Sequence, residues 1–541
     1  MAENIAQVSA LARVQAYHER SKHRLGAYAA GPETLDWDAQ PDPFRRFAGA
    51  PLTPLPLNAA KETTGWRELF EPGREAFPAN LAQIGRLFEC SFALSAWKEL
   101  GPDRWALRVN PSSGNLHPTE VYLVAQGLPD LADGVYHYAP KEHALEQRAA
   151  FAGPATAPRL LVGFSSIHWR EAWKYGERAF RYCQLDMGHA IGALRYAAAL
   201  LGWRVRELGL GHSEQAALMG LDRGGDFQNA EGEEAEAVFE LCWDATQTPP
   251  CDPHAMLAGA NWSGQANRLD AHPMYHWPVI DAVAQASRRP TAVPTTALPV
   301  QARRTLLPGS AAKASPPAAQ LIRQRRSAQR FDRSARTDTA TLWPLLAALM
   351  PAGQLPWDMG QDGAQVHAVL FAHRVDGLAP GAYLLPRNTT AQARLQAALP
   401  QLAWQPVEAC PAELPLVALA LNPALAGTLR TLSCHQAIAA DAVFVIALLA
   451  EWPPVEGDAP WQYRDRLREA GLIGQVLYLE AEAAGLRGTG IGCFFDDPVR
   501  ELLGLGAPGT EAWQVLYHFS VGLPVADARI TSSPPYPEPR P

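Results

Sequence analysis

The chain has 541 residues, 48% hydrophobic and 19% charged, enough to bury two substantial cores. A net charge of −8 argues against nucleic acid or an anionic membrane as the main partner. Seven cysteines (90, 183, 242, 251, 410, 434 and 493) include no C-x-x-C; their odd number suits reduced thiols in a cytoplasmic protein better than a disulfide framework or structural zinc.

Met1-Ala2-Glu3-Asn4 leads into a polar, helix-like stretch without the apolar core of a signal peptide. Residues 1–80, rich in Pro, Arg and aromatics, read as an arm that wraps the rest; they carry His18, Lys22 and His23, which nothing in the sequence places. Residues 81–250 form a first α/β module: an apolar run at 121–125, a Gly134-Val135-Tyr136 turn, a strand over Leu160–Phe164, then a helix. Residues 251–320 read as a linker, Pro/Ala-rich from Ser287. A second module spans 321–530, with a run at 366–372, Gly381-Ala382-Tyr383, a strand over Leu416–Ala420 and again a helix. The longest apolar stretch, Ala437–Ala450, contains Asp441 and is too short to span a bilayer. A Pro-rich tail, 531–541, is expected to be disordered.

The two helices are one pattern written twice. Arg181, Asp186, Gly188, Leu194, Ala198 and Gly202 recur as Arg464, Glu469, Gly471, Leu477, Ala481 and Gly485, all at a constant offset of 283. In both copies Leu and Ala lie one helical turn apart on an apolar stripe, and a glycine ends the run.

Three segments carry chemistry. Arg325-Arg326-Ser327-Ala328-Gln329 offers a fork of donors for a phosphate or a polar ring edge. Pro111-Ser112-Ser113-Gly114-Asn115 is a turn whose hydroxyls, amide and backbone can bond the rim of a flat heterocycle. Gly488-Thr489-Gly490-Ile491-Gly492-Cys493 is a glycine-rich strand that a ring can approach closely. Taken singly, each reads more simply as a basic helix start, a plain turn and a glycine-rich bulge. Phosphate-loop, dinucleotide and nucleophile-elbow motifs are absent, and no metal-ligand spacing occurs; His272 and His276 are interrupted by Pro273.

The order and spacing of these segments resemble the FMN-dependent nitroreductase family. The Tyr463 to Gly471 helix and a closing Val521-Gly522-Leu523-Pro524 with Arg529 beyond it add to the likeness. The resemblance implies an α+β, three-layer α/β/α fold, here in two fused copies forming an intrachain pseudo-dimer. It implies cofactor contacts from Ser112, Ser113 and Asn115 on one side, and from Arg325, Arg326, Ser327, Gln329, Gly490, Gly492 and Cys493 on the other, with Arg529 toward the phosphate. The motifs have parted between the copies. The first has Phe88-Glu89-Cys90-Ser91-Phe92 in place of Arg-Arg-Ser, and the second has Pro351-Ala352-Gly353-Gln354 where the Ser-Ser turn is expected. One complete site, and so one FMN per chain, is the expectation.

Trp173-Lys174-Tyr175-Gly176-Glu177-Arg178 and the Ser-Ser-Gly-Asn-Leu-His-Pro form of the turn resemble the SagB/ThcOx branch, which dehydrogenates azolines in peptides. That likeness implies hydride transfer to flavin N5, with Lys174 and Tyr175 as the acid/base pair. Burial among Trp169, Trp173 and Tyr175 is expected to lower the lysine pKa; the alternative is a solvated lysine on a charged helix. His189, opposite Leu472 in the second copy, reads as a packed core histidine. The substrate is then a heterocyclic or peptide-derived molecule. Two other readings stand beside it: an NAD(P)H-dependent nitro or quinone reductase, and a flavin-binding scaffold without turnover.

Gln329 departs from the family, which places Lys or Arg there beside the flavin edge that becomes negative on reduction. Gln329→Lys is expected to raise the midpoint potential of the bound flavin in a potentiometric titration; an unchanged potential would remove Gln329 from that edge.

Overall fold

The computed structural model describes residues 9–153, 157–244, 252–290, 316–351, 353–359, 363–402, 404–408, 410–453 and 459–537. The first half comprises α1 (Ala10–Arg20), α2 (Leu81–Glu89), the hairpin β1 (Leu94–Leu100) and β2 (Asp103–Arg108), β3 (Thr119–Gln126), β4 (Gly134–Ala139), β5 (Ala144–Ala150), β6 (Arg159–Ser166), α3 (His168–Tyr175), α4 (Ala179–Leu200), β7 (Arg204–Glu207) and β8 (Glu234–Cys242). After α5 (Pro278–Ala286) the second half follows: α6 (Ala318–Gln324), β9 (Val366–Ala372), β10 (Gly381–Leu385), β11 (Val417–Leu421), β12 (Phe444–Glu451), α7 (Gln462–Ala483), β13 (Arg487–Ile491), α8 (Asp496–Leu502), β14 (Trp513–Gly522) and β15 (Thr531–Ser533).

The first sheet runs β5-β4-β3-β6-β8-β7 and the second β11-β10-β9-β12-β14-β13, antiparallel throughout. Strand for strand this is one topology used twice, so the repeat extends from the helices to the sheets. One pairing of the sequence reading changes. The strand at 417–421 is β11, an edge strand and the counterpart of β5, whereas β6 corresponds to β12 inside the apolar run 437–450. A central strand buried on both faces reads as a continuous apolar run and hides its period.

The helices α4 and α7, each of 22 residues, cross between the two sheets, and every residue of α4 is buried. Their contact is closest at the repeated glycines. A Cβ on Gly188 would lie 2.0 Å from the Arg468 carbonyl oxygen, and one on Gly471 would lie 2.0 Å from that of Leu185. The repeated arginines are reciprocal too. Arg181 of the first half reaches Asp496 of the second at 2.8 Å, and Arg464 of the second reaches Glu234 and Glu236 of the first at 2.7 Å.

The termini cross over. The α1 ring of His18 bonds Tyr463 and Gln514 of the second half, each at 3.0 Å. At the other end β15 pairs with β1 of the first half, and the hydroxyl of the partly buried Tyr536 donates to the Pro140 carbonyl. The tail is thus ordered through residue 537, contrary to expectation, because backbone pairing and one aromatic anchor hold it; 538–541 lie outside the described residues. Nor is 252–290 a linker: Asn261–Trp262 pairs with β5, Gln265–Ala266 pairs with Phe47–Ala48, and α5 buries Ile280, Val283 and Ala284 along one stripe. The Pro/Ala-rich stretch at 291–315 lies outside the described residues. Among the described residues no helix is long and apolar enough to cross a membrane.

Because backbone sits where either Cβ would go, Gly188→Ala and Gly471→Ala should each cost about 1–3 kcal/mol of stability. Urea unfolding of the two variants measures this; midpoints equal to that of the parent would contradict the close crossing.

Candidate functional site

A cavity of about 570 Å³ opens between the halves, within the usual range for small-molecule sites. From the first half it is lined by the 110–117 turn, Tyr175, and Tyr182, Asp186 and His189 of α4; from the second by residues 325–329, Tyr478 of α7, β13 and its continuation to Cys493, and Tyr517 of β14.

The turn is shaped by residues that tolerate left-handed backbone. Gly114, Asn115 and His117 have φ of 58°, 60° and 54°. The Asn115 side chain donates to the Ala106 carbonyl at 2.9 Å, and the His117 N–H donates to the Ser112 hydroxyl at 2.8 Å. Ser113 is held from below: its N–H and hydroxyl donate to Asp186 at 3.0 and 2.8 Å. The Tyr175 hydroxyl closes over Gly114, 2.5 Å from where a Cβ would be.

On the opposite wall, Arg325 follows the end of α6. Its guanidinium donates to the Val109 carbonyl of the first half at 3.1 Å and lies 4.9 Å from the Tyr478 ring centre. Its Nη1 is buried without a hydrogen-bond partner among the described residues. The 327–329 segment lies along β13: the Ala328 N–H donates to the Gly488 carbonyl at 3.0 Å, and Thr489 donates back to the Ala328 carbonyl at 2.6 Å. The Tyr478 hydroxyl ties the two strips together, accepting from the Gly490 N–H at 3.1 Å and meeting the Ser327 hydroxyl at 2.8 Å. A Cβ at Gly490 would meet the Tyr517 hydroxyl at 1.7 Å and one at Gly492 would meet the Tyr182 ring at 2.1 Å, so these glycines admit tyrosines of the protein itself.

Of the residues singled out in sequence, the cavity gathers Ser112, Ser113, Asn115, Tyr175, Arg325, Arg326, Ser327, Gln329, Gly490, Gly492 and Cys493. Two do not join them. Lys174 is half-buried and does not line the cavity; its Nζ lies 5.5 Å from the ring centres of both Trp37 and Tyr175. Arg529 is 77% exposed and paired with Asp527 at 2.7 Å. The cations that line the cavity instead, besides Arg325 and Arg326, are Lys98, Arg108 and Arg487. Arg487 sits two residues before Thr489 on the glycine-rich strand, a period-2 signal that sequence could have supplied. Tyr478 and Asp186 lay on the repeated helices, where apolar stripe and site face are not separable by pattern.

Electrostatics single out Asp186. Burial raises its pKa to about 7, against the hydrogen bonds from Ser113 and Ser112, which favour the ionised form. Nearby, burial and the Asp186 charge raise Glu171 well above the carboxylate range, and burial keeps the Tyr175 phenol neutral. His189 bonds Gln475 and Tyr517, and burial lowers its pKa to about 3, so the ring is neutral.

The second half holds the counterpart of this cavity in reduced form. Glu469 and Leu472, at the repeat positions of Asp186 and His189, line a space of about 100 Å³. Glu469 is consumed by Arg387 and by the N–H groups of Gln365 and Val366. The Trp357 ring lies 4.4 Å from the Arg387 guanidinium. Arg195, opposite Tyr478 in the repeat, makes a buried two-pronged bond to Asp358 at 2.8 and 2.6 Å. The stretch corresponding to the Ser-Ser turn is therefore the one entering β9, with 360–362 outside the described residues, rather than 351–354, where Gln354 caps carbonyls of the preceding helix. In the first half, Phe88, Cys90 and Phe92 stand in the core where Arg-Arg-Ser would be.

A carboxyl whose native pKa exceeds its unfolded value of 3.8 opposes folding increasingly as pH rises from about 4 to about 7. Asp186→Asn should therefore gain stability relative to the parent across that window, by up to about 4 kcal/mol, and hold the gain at higher pH. Thermal unfolding midpoints of both proteins against pH test this; parallel curves would place Asp186 in the ordinary carboxylate range.

No protein-family model matches the chain. A Methanocaldococcus jannaschii protein provisionally named a nitroreductase is 27% identical over 138 residues, a match spanning 23% of this chain and 66% of that relative. Among solved structures, a provisionally named nitroreductase from Anabaena variabilis superposes over 95% of this chain and 99% of its own, with a TM-score of 0.66 and 20% identity. A chain of the Escherichia coli microcin synthetase complex with truncated pro-microcin is 18% identical and covers 44% of this chain and 94% of its own, at a TM-score of 0.26, too slight to bear on function. The chain has the nitroreductase fold, built twice in one polypeptide, and shares sequence over part of its length with a protein named for that activity.

Proposed function

We propose that the chain is an FMN-dependent oxidoreductase with one flavin site, which dehydrogenates a heterocyclic or peptide-derived substrate in the manner of the SagB/ThcOx branch. The observation that carries the reading is the cavity of about 570 Å³ in which the serine turn of one half meets the Arg-Arg-Ser and glycine-rich segments of the other. The residues present fit the cofactor: a buried Arg325 nitrogen without a hydrogen-bond partner among the described residues, four further cations lining the cavity, and two aromatic faces from Tyr478 and Tyr182 suit a phosphorylated, flat, partly polar ring system. When bound, FMN supplies a two-electron acceptor for hydride.

The protein's own part is to orient substrate and to handle the proton. Asp186 is about half ionised at neutral pH, as a group that takes and returns protons requires. Tyr175, a neutral phenol at the lip of the turn, donates a hydrogen bond to substrate. Lys174, its Nζ 5.5 Å from the ring centres of both Trp37 and Tyr175, positions the tyrosine and the arm. Arg326, Arg487 and Lys98 stabilise negative charge in the cavity, a role Gln329 cannot fill. A second reading, an NAD(P)H-dependent nitro or quinone reductase, is favoured by the name of the sequence relative. Rapid mixing with NADPH separates the two, since fast bleaching of the flavin belongs to the second alone.

The purified chain is expected to bind FMN at about one per chain, because the counterpart cavity is filled. Arg325→Ala should lose the flavin and Arg529→Ala should keep it. Two flavins per chain, or none after incubation with FMN, would defeat the composite site. With substrate in hand, activity should rise with pH through about 7, and Asp186→Asn should abolish that rise.

A further inference from the structure

Two of the cysteines meet at the wall of the cavity. Cys493 follows β13 and lines the cavity; Cys434 lies in the turn after the helix Leu425–Leu432. The two loops meet where the Phe495 N–H donates to the Leu432 carbonyl at 2.8 Å, the two thiols lie near enough to influence one another's charge, and both residues are partly exposed. The two loops are fastened together around them. The Gln436 side chain donates to the carbonyls of Ser433 and Cys493, at 2.9 and 3.1 Å. The turn itself holds Cys434 and His435 at φ of 52° and 61°, a backbone that L residues rarely adopt.

The surroundings favour a thiolate on one sulfur. His23 of the arm contacts Cys493, and its Nδ1 accepts the Ala29 N–H at 2.9 Å. That leaves the ring proton on Nε2, the nitrogen able to donate to Cys493. Arg178, buried and donating to the Gly492 carbonyl at 3.0 Å, adds positive charge from α4. Tyr182 faces the pair from α4 and Tyr28 from the arm.

We propose that Cys434 and Cys493 are a redox-active thiol pair that closes to an intrachain disulfide by exchange with low-molecular-weight disulfides. The Cys493 thiolate attacks one sulfur of the disulfide, whose S–S bond breaks to release the first thiolate, which takes up a proton. Cys434 then loses its proton and attacks the Cys493 sulfur, expelling the second. The two cysteines are oxidised, the small disulfide is reduced to two thiols, and the two cysteine protons end on them. The first attack falls to Cys493 because its proximity to Cys434, and then to His23, lowers its pKa to about 5, while Cys434 is pushed up by the same proximity. The exchange itself requires no flavin, though the disulfide would form on the cavity wall.

The test is treatment of the full chain with oxidised glutathione, followed by alkylation of the remaining thiols and peptide mass mapping. The expected product joins the Cys434 and Cys493 peptides, with Cys410, a partly exposed thiol that burial raises to about 11, still free to alkylate. Cys434→Ser should stop at the first step, leaving one glutathione on Cys493. Before oxidation, iodoacetamide at about pH 6 should modify Cys493 roughly a hundredfold faster than Cys410. A wild-type chain that accumulates glutathione on Cys493 beside an alkylatable Cys434 would overturn the proposal, as would reaction at Cys410 with neither member of the pair touched.

Discussion

The crossing of α4 and α7 at Gly188 and Gly471 is the contact on which the remainder of the molecule depends. Each glycine leaves its half no side chain at the point of nearest approach, and each backbone fills the space its partner vacates. Close approach brings the α4 stations 182, 186 and 189 opposite Tyr478 of α7, so the cavity wall is assembled by the same packing that joins the halves. Polar bonds then fix direction: Arg181 and Arg464 each reach across to carboxylates of the other half, where burial makes a mispaired charge costly. The exchanged arm and tail close the arrangement from outside.

Duplication gives two equivalent places for a site, and substitutions at matching positions decide which is used. Asp186 is aimed at a serine turn, whereas Glu469, one methylene longer, is spent on Arg387 and on the backbone entering β9. Tyr478 offers a hydroxyl and a ring face; Arg195 at the matching station needs a counter-ion, and Asp358 arrives with the segment that fills the space. A carboxylate that is paired belongs to the scaffold. One that is buried and bonded only to neutral donors keeps a proton to exchange, which separates Glu469 from Asp186.

Much of this was legible in the sequence. The constant offset announced two copies, and the distribution of Arg-Arg-Ser, Ser-Ser and glycine-rich segments announced a composite site. Gly188 and Gly471 were legible as matched positions, but not as the point where the two helices cross. The β12 strand was not legible, since a run buried on both faces carries no period. Nor was the order in 252–290 and 531–537, whose short strands are held by partners more than a hundred residues away in the chain.

What the sequence determined by itself is the set of local conformers and their repetition: left-handed turns at Gly114 and Asn115, glycines where helices must touch, and an apolar stripe on each repeated helix. What only the tertiary structure decided is which side chains share a volume. Lys174 and Tyr175 are neighbours in sequence and the lysine ammonium lies beside the tyrosine ring, yet only the tyrosine lines the cavity. Cys434 and Cys493 are distant in sequence yet near each other, because two loops are folded against one wall. Asp186 acquires its raised pKa from burial, a property of the assembled halves and of no single segment.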